Sequence, residues 1–253
     1  MKVVVCVKMV KSEFVGRGNN ENELYQMNPY DLYAFKEIIK IKEQVDCNVV
    51  CLCMGPKESE YILVKAIAMG ADEAILLNDI KFAGSDTVAT TYILSRAVSK
   101  IGNVDFIICG DKSLDGETGQ VVFGLSERLK FNCVTGLERI ESLNETGIVA
   151  VRNKKEIGVL EKLKVPCSVV LSFANFLLKQ PSVSLIAIKK AKQRGITIWN
   201  ADDLNIDSDK CGIRGSKTHV INVKSDLVKK ESCRLEGTAA EKSAAIVKIL
   251  VKR

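Results

Sequence analysis

Between residues 3 and 129 the chain alternates four times between a short apolar run and a longer amphipathic one. No other feature restricts its fold so strongly. The apolar runs are VVVCV (3–7), VVCLC (49–53), AILL (74–77) and VDFIIC (104–109). They are short, rich in β-branched residues and almost continuously apolar, as strands covered on both faces must be. The stretches that follow keep a helical spacing: Ala34, Ile38, Ile41 and Val45, then Ile62, Ala66 and Met69, then Ile93, Ala97 and Ile101, then Val122, Leu125 and Leu129. Strands alternating with helices over short connections pair in parallel, because each helix returns the chain to the same sheet direction. The expectation is a mostly parallel, doubly wound α/β sheet.

Local signals mark where the helices begin and end. In Asn28-Pro29-Tyr30-Asp31, Asn28 suits the N-cap, Pro29 the first helical position and Asp31 the first turn. Ser85 is the expected cap of the third helix, while Gly70 and Gly102 end the second and third. In such a sheet, ligands bind beyond the carboxyl ends of the strands. Four turns should therefore line one crevice: residues 8–11, 53–56, 78–87 and 111–119.

The last of these, between the fourth strand and its helix, reads DKSLDGETG. A glycine-containing turn entering a helix leaves backbone N–H groups and the positive end of the helix dipole facing outward, which favours an anion. Thr118 is placed to cap the helix or to offer its hydroxyl to a phosphate. Gly116 and Gly119 allow close approach of backbone to a ligand. An ordinary αβ turn with a threonine cap explains the same residues.

Residues 11–26 read as a polar surface loop or short hairpin, with Gly16, Gly18, Asn19 and Asn20. After Phe131 the pattern changes. Residues 134–141, 148–153, 157–164 and 168–172 look like strands, partly antiparallel; 183–192 is helical and basic, and 196–199 a short strand. From Asp202 to Lys230 the polar, weakly periodic chain suggests an extended arm. Ala240, Ala244, Val247 and Val251 then form the apolar stripe of a terminal helix. This divides the chain into an α/β domain, 1–200, and an arm with its helix, 201–253.

The 253 residues carry a net charge of +6, spread along the chain with few aromatics between the basic positions. No nucleic-acid module is legible. No apolar run approaches the roughly 20 residues of a membrane span, and the start lacks the order of a secretion signal, so a cytoplasmic protein is expected. The nine cysteines include no C-x-x-C pair, and there is one histidine, His219. Cys6, Cys51, Cys53 and Cys109 sit within apolar runs, as reduced thiols acting as small hydrophobes would. No metal site is indicated.

The chain resembles the beta subunits of the electron transfer flavoprotein family over nearly its whole length. The motifs are VVVCVKMV at the start, MNPYD (27–31), CMGP (53–56), MGADEAILLND (69–79), FAGSDTVAT (82–90), DGETGQV (115–121), PSVSLIAIKKAK (181–192), WNADDL (199–204) and GIRGSKTHV (212–220). The resemblance implies a Rossmann-like, adenine-nucleotide-binding domain that pairs with an FAD-carrying alpha subunit. The beta subunit would hold AMP or, in bifurcating members, the adenosine phosphate half of a second FAD that exchanges electrons with NADH. Carried over by position, Val7, Lys8 and Met9 follow the first strand. Asn28 meets base or ribose, Cys53 and Gly55 pass the adenosine, and Asp115, Gly116, Glu117, Thr118 and Gln120 hold the phosphate end. Glu117 would serve through its backbone N–H, its carboxylate turned away. The 181–192 stretch resembles the loop that docks acyl-CoA dehydrogenases, with Leu185 as the anchor and Lys189, Lys190 and Lys192 around it. The terminal helix, set off from the core by the arm, would pack on the partner subunit or on its own domain.

Two departures concern the second flavin. The family's V-K-x-V-P-D is here Val7-Lys8-Met9-Val10-Lys11-Ser12, and the loop before Asn28 is shortened. FAD and AMP both remain open. Two other classes also fit a sheet of this kind. An ATP pyrophosphatase would need a glycine- and serine-rich loop where Lys8-Met9-Val10-Lys11 stands. A stand-alone nucleotide-binding regulatory domain of the universal-stress-protein kind leaves the basic leucine segment and tail helix unexplained.

Overall fold

The computed structural model describes residues 1–12, 25–154, 157–218 and 234–251. The polar loop with Gly16, Gly18, Asn19 and Asn20, Lys155, and the stretch beginning at His219 lie outside the described residues. The strands are β1 (Lys2–Cys6), β2 (Met9–Lys11), β3 (Tyr25–Met27), β4 (Asn48–Met54), β5 (Glu73–Leu77), β6 (Phe106–Gly110), β7 (Asn132–Asn144), β8 (Gly147–Lys154), β9 (Val159–Val165), β10 (Val169–Phe173) and β11 (Thr197–Trp199). The helices are α1 (Pro29–Lys42), α2 (Glu60–Ala68), α3 (Thr87–Ile101), α4 (Val121–Leu129), α5 (Leu185–Arg194), α6 (Gly212–Gly215) and α7 (Ala239–Val251).

Nine strands form one sheet in the order β11-β5-β4-β1-β6-β10-β7-β8-β9, and β2 pairs with β3 in a separate antiparallel ribbon. The strands from β11 to β7 run parallel to their neighbours, while β7, β8 and β9 make an antiparallel meander at the far edge. The expected α/β architecture is therefore present. Separate apolar cores on the two faces explain why the central strands are apolar without alternation. On one face Val3, Val5, Cys51 and Cys53 pack with Leu32, Phe35 and Ile38 of α1 and Ile62 and Leu63 of α2. On the other, Val4, Val50, Leu52, Ile107 and Cys109 pack with Ile93 and Ala97 of α3 and Leu125 of α4. Each fully buried side chain of this kind contributes about 1.5–3 kcal/mol relative to exposure.

The cysteines follow the same logic. Cys6, Cys47, Cys51, Cys53, Cys109 and Cys211 are buried free thiols, and Cys133 and Cys167 are half-buried. Among the described residues no group of side chains could hold a metal ion, and no helix is long and apolar enough to cross a membrane.

Three local expectations shift. The cap of α3 is Asp86, whose side chain accepts from the Val88 and Ala89 amides. Ser85 instead donates to the Phe82 carbonyl at 2.7 Å and accepts from the Gly212 amide at 3.0 Å. Asn28 stands at the N-cap of α1 without capping it. The polar chain from Asp202 is held to the α/β unit at its start: Leu204 and Cys211 are buried in the core beside α3. The compact unit accordingly runs Met1–His219, past the boundary expected at 200; Val220–Arg253 is a second unit, whose α7 exposes Ile246, Val247 and Ile249.

Candidate functional site

From β1 the chain steps outward to β4 and β5, then returns to place β6 on the opposite flank of β1. The carboxyl ends of β1 and β6 thus border the switch point, where the crossover helices leave the two faces and a crevice opens. Asp31 occupies this place. It lies in the first turn of α1 but turns its carboxylate toward the sheet, where Oδ2 accepts from the Lys8 amide at 2.9 Å and Oδ1 from the Gly110 amide at 3.1 Å. The packing is so close that a Cβ on residue 110 would fall 2.4 Å from Asp31 Oδ1, which requires glycine there. Burial pushes the Asp31 carboxyl up to about 7, against the pull of the Asn28 side chain, the Lys8 and Gly110 amides and the Lys8 charge.

Asn28, also buried, stitches the turn after β6 to this frame. Its amide donates to the Lys8 carbonyl at 2.8 Å. Its Nδ2 donates to the Lys112 carbonyl at 2.8 Å, and its Oδ1 accepts from the Leu114 amide at 3.3 Å. Lys8 Nζ then reaches across to Asp115 at 2.7 Å. Burial alone would raise the Asp115 carboxyl; the Lys8 ammonium and the Ser113 hydroxyl outweigh it and hold the group below the usual carboxylate range. Glu117 pairs with Lys112 at 3.2 Å, and its backbone N–H is already donated to the Ser113 carbonyl at 3.0 Å. The backbone role expected of Glu117 is thus taken within the turn.

The entry to α4 is left open. Gly119 adopts φ +62°, reversing the chain just before the helix. Gln120 holds the N-cap position without a side-chain cap bond. Thr118 falls outside the helix, so it is not the cap; its hydroxyl receives only a long bond, 3.5 Å, from the Gln120 amide. The first-turn amides of α4 precede any intrahelical acceptor, and the positive end of the dipole faces the turn. An anion fits there by the chemistry of the donors.

One strand over, Gly55 ties the end of β4 to β5: its N–H donates to the Leu77 carbonyl at 3.1 Å, and Asn78 Nδ2 donates to its carbonyl at 2.9 Å. A Cβ at residue 55 would meet Ser59 Oγ at 2.4 Å. Burial pushes the Cys53 thiol up to about 12, so it lines the site as a neutral group. Val7 is buried and Met9 half-buried beside it.

The structure thus brings Lys8 into direct contact with both Asn28 and Asp115 and sets Val7, Met9, Cys53 and Gly55 at the adjoining strand ends. Gly116, Glu117, Thr118 and Gln120 form the exposed rim. Asp31, Gly110 and Asn78 were not expected among the site residues; Asp31 had a motif signal in MNPYD, but it read as a helix-dipole partner. Leu185, Lys189, Lys190 and Lys192 lie apart, on α5 against α2. Ser184 caps that helix, accepting from the Ala187 amide at 3.2 Å. Leu185 is 87% exposed and Ile186 71%, while Ala191 is the residue of α5 that is buried.

Residues 19–204, which hold this crevice from Asn28 to Gln120, match the model of the electron transfer flavoprotein domain. The chain belongs to the electron transfer flavoprotein family. It is 35% identical over 237 residues to the protein FixA of Sinorhizobium fredii, covering 88% of this chain and 82% of that one. It is 31% identical over 252 residues to the caffeyl-CoA reductase-Etf complex subunit CarD of Acetobacterium woodii, with 96% and 95% covered. With the electron transfer flavoprotein subunit beta of Clostridium acetobutylicum it shares 31% over 254 residues, 98% and 96% covered. The electron transfer flavoprotein match takes in Asp31, Gly110 and the whole α4 entry, and begins after Lys8.

Proposed function

We propose that this chain is the beta subunit of a heterodimeric electron transfer flavoprotein, with an adenine nucleotide in the crevice between β1 and β6. The carrying observation is the braced turn: Asn28 and Lys8 hold residues 112–115 over the switch point, beside a helix entry with no side-chain cap. Among the described residues the site holds no nucleophile–base pair; in this reading its residues orient and retain rather than transform. The α4 amides and Thr118 face the phosphate end. The Gly55 turn, where the absent side chain leaves room for Ser59, stands at the strand end along which the adenosine passes in this reading. Glu117, turned to Lys112, adds no carboxylate to that contact.

The nucleotide is AMP or the adenosine half of a second FAD, which when bound supplies one- and two-electron chemistry at its isoalloxazine ring. The FAD-carrying alpha subunit is the partner that completes the carrier. Full-length agreement with beta subunits and reductase-complex subunits supports this assignment. Leu185 and Ile186, exposed at the start of α5 among Lys189, Lys190 and Lys192, suit a small contact with an apolar centre and charged rim. Its occupant in this reading is a flavoenzyme of the acyl-CoA dehydrogenase type. The test is to co-purify the chain with its alpha subunit, denature the complex and identify what is released. AMP beside the alpha subunit's FAD assigns a structural nucleotide here. A second FAD instead assigns a flavin to this subunit and makes NADH the donor to examine. FAD of the alpha subunit alone overturns the reading.

A further inference from the structure

Far from the crevice, beside Leu185, the surface opens into a groove of about 420 Å³. Three elements make it. α1 supplies Phe35 and Ile39, the end of α2 supplies Met69, and the chain leading into α5 supplies Val183 and Ala187. Phe35 is fully buried beneath the groove; the other four are half-buried, so part of their apolar surface still faces water. The volume lies at the small end of the roughly 300–1,000 Å³ of ligand pockets, but the groove is open to solvent rather than enclosed. An open apolar groove suits a side chain carried in by a second surface.

The charges around it indicate what kind of surface. At the rim, Lys40 pairs with Glu37, and Lys36 and Glu43 are of opposite sign. That balance ends at α5. From Pro181 to Arg194 the chain carries Lys189, Lys190, Lys192 and Arg194 and no acidic residue. A surface that covers this face therefore brings acidic groups to α5. A second copy of this chain, with its net charge of +6, would bring like charge instead. The groove is also continuous with the exposed anchor. Leu185 and Ile186 project from the first turn of α5, and Ala187, in the same turn, lines the groove.

We propose that docking at α5 is reciprocal. Leu185 enters the flavoenzyme partner, and an apolar side chain of that partner, set among acidic residues, enters the groove between α1, α2 and α5. A single anchor leaves the partner free to rotate about the contact. Two insertions in opposite directions fix its orientation, while the lysines and Arg194 steer its approach.

The inference rests on the reading of α5 as a docking segment, and its test separates the two. The probe is an acyl-CoA dehydrogenase, reduced with its acyl-CoA substrate and mixed with increasing amounts of the heterodimer, with flavin reduction in the heterodimer as the readout. Ala187→Phe fills the groove from the helix and Ser182→Trp fills it from the exposed chain before it, so the second serves if the first disturbs α5. Leu185→Ala is run beside them. The expected result is that each groove variant raises KM for the heterodimer about tenfold, with kcat and nucleotide content unchanged. Added salt should raise KM by the same factor in wild type and in the groove variants, because the charges of α5 are intact in all of them. Unchanged KM in both groove variants, with a raised KM in Leu185→Ala, overturns the proposal and leaves the docking reading standing. Loss of the alpha subunit from a groove variant, or a change in the size of the assembly, gives the groove to another occupant and also overturns it. If all three variants match wild type, or if wild type accepts no electrons from the dehydrogenase, the docking reading falls, and this inference with it.

Discussion

The N-termini of α3 and α4 both follow strands that end at the carboxyl edge of the sheet, and they are finished in opposite ways. At α3 one carboxylate does everything. Asp86 Oδ1 accepts from the Val88 and Ala89 amides at 2.9 and 3.0 Å, and Oδ2 accepts from the amides of Lys217 and Thr218 at 2.7 and 3.0 Å and from the Thr218 hydroxyl at 3.2 Å. Ser216 closes the join, accepting from the Asp86 amide at 2.8 Å and donating to the Gly84 carbonyl at 3.1 Å. At α4 no side chain caps the helix, and the turn before it is held from a distance by Asn28 and Lys8. A helix that satisfies its own amides and anchors a passing segment is a structural joint. A helix whose entry is braced by other elements and left without a side-chain cap is where the proposed reading puts the phosphate of the nucleotide.

All but the last of the substitutions that follow press on one side of this contrast. The largest stability effect is expected at the closed end. Asp86→Ala removes a cap and the latch on Lys217 and Thr218, costing about 2 kcal/mol in a denaturant melt while leaving nucleotide content unchanged. Nucleotide loss in that variant would mean that the two ends are not separate. The sign with pH is fixed. Burial would raise the Asp86 carboxyl, but the helix and arm donors outweigh it and hold it low. The stability it confers is therefore present above the usual carboxylate pKa and lost as pH falls through its depressed value. Asp86→Ala lacks that share of the acid sensitivity.

At the open end the order reverses, with binding hit harder than folding. Asn28→Ala frees the 112–115 turn, and retention of nucleotide by the heterodimer should fall by about tenfold or more, measured by equilibrium dialysis after co-purification. Lys8→Ala breaks a pair that is half exposed, worth at most about 1 kcal/mol to stability. It should still weaken retention severalfold, because the turn loses its second tie. Thr118→Val should have the smallest effect, about threefold on retention with no change in melting; unchanged occupancy would remove Thr118 from the site. Leu185→Ala lies outside both ends. It should slow electron transfer to a dehydrogenase partner in stopped-flow traces while nucleotide content stays constant.

How much of this was legible in the sequence follows from how local each feature is. The four βα units could be read because both faces of the sheet are covered, which keeps the strands apolar, and because each helix holds one stripe. That β10 inserts between β6 and β7 could not be read: VVLSF declares a strand but not its neighbours. Thr118 looked like a cap because caps precede helices; Gly119, with its positive φ, delays the start to Val121. Ser85 and Asp86 were both sound caps by type, and the bonds to Lys217 and Thr218, far along the chain, fall to Asp86. Asp31 was hidden for the same reason. A first-turn aspartate is ordinary, and its role depends on two strand ends that only the folded sheet brings together. The segment after Asp202 read as arm because Leu204 and Cys211 fit neither a helical nor a strand period, yet both are buried.

The contrast between the two helix entries is tested most directly by the adenine nucleotide content of three heterodimers, each co-purified with the alpha subunit and denatured: wild type, Asn28→Ala and Asp86→Ala. The account predicts an adenine nucleotide beyond the alpha subunit's FAD in wild type and Asp86→Ala, and its loss in Asn28→Ala. Loss in Asp86→Ala with retention in Asn28→Ala would contradict it and move the site to α3.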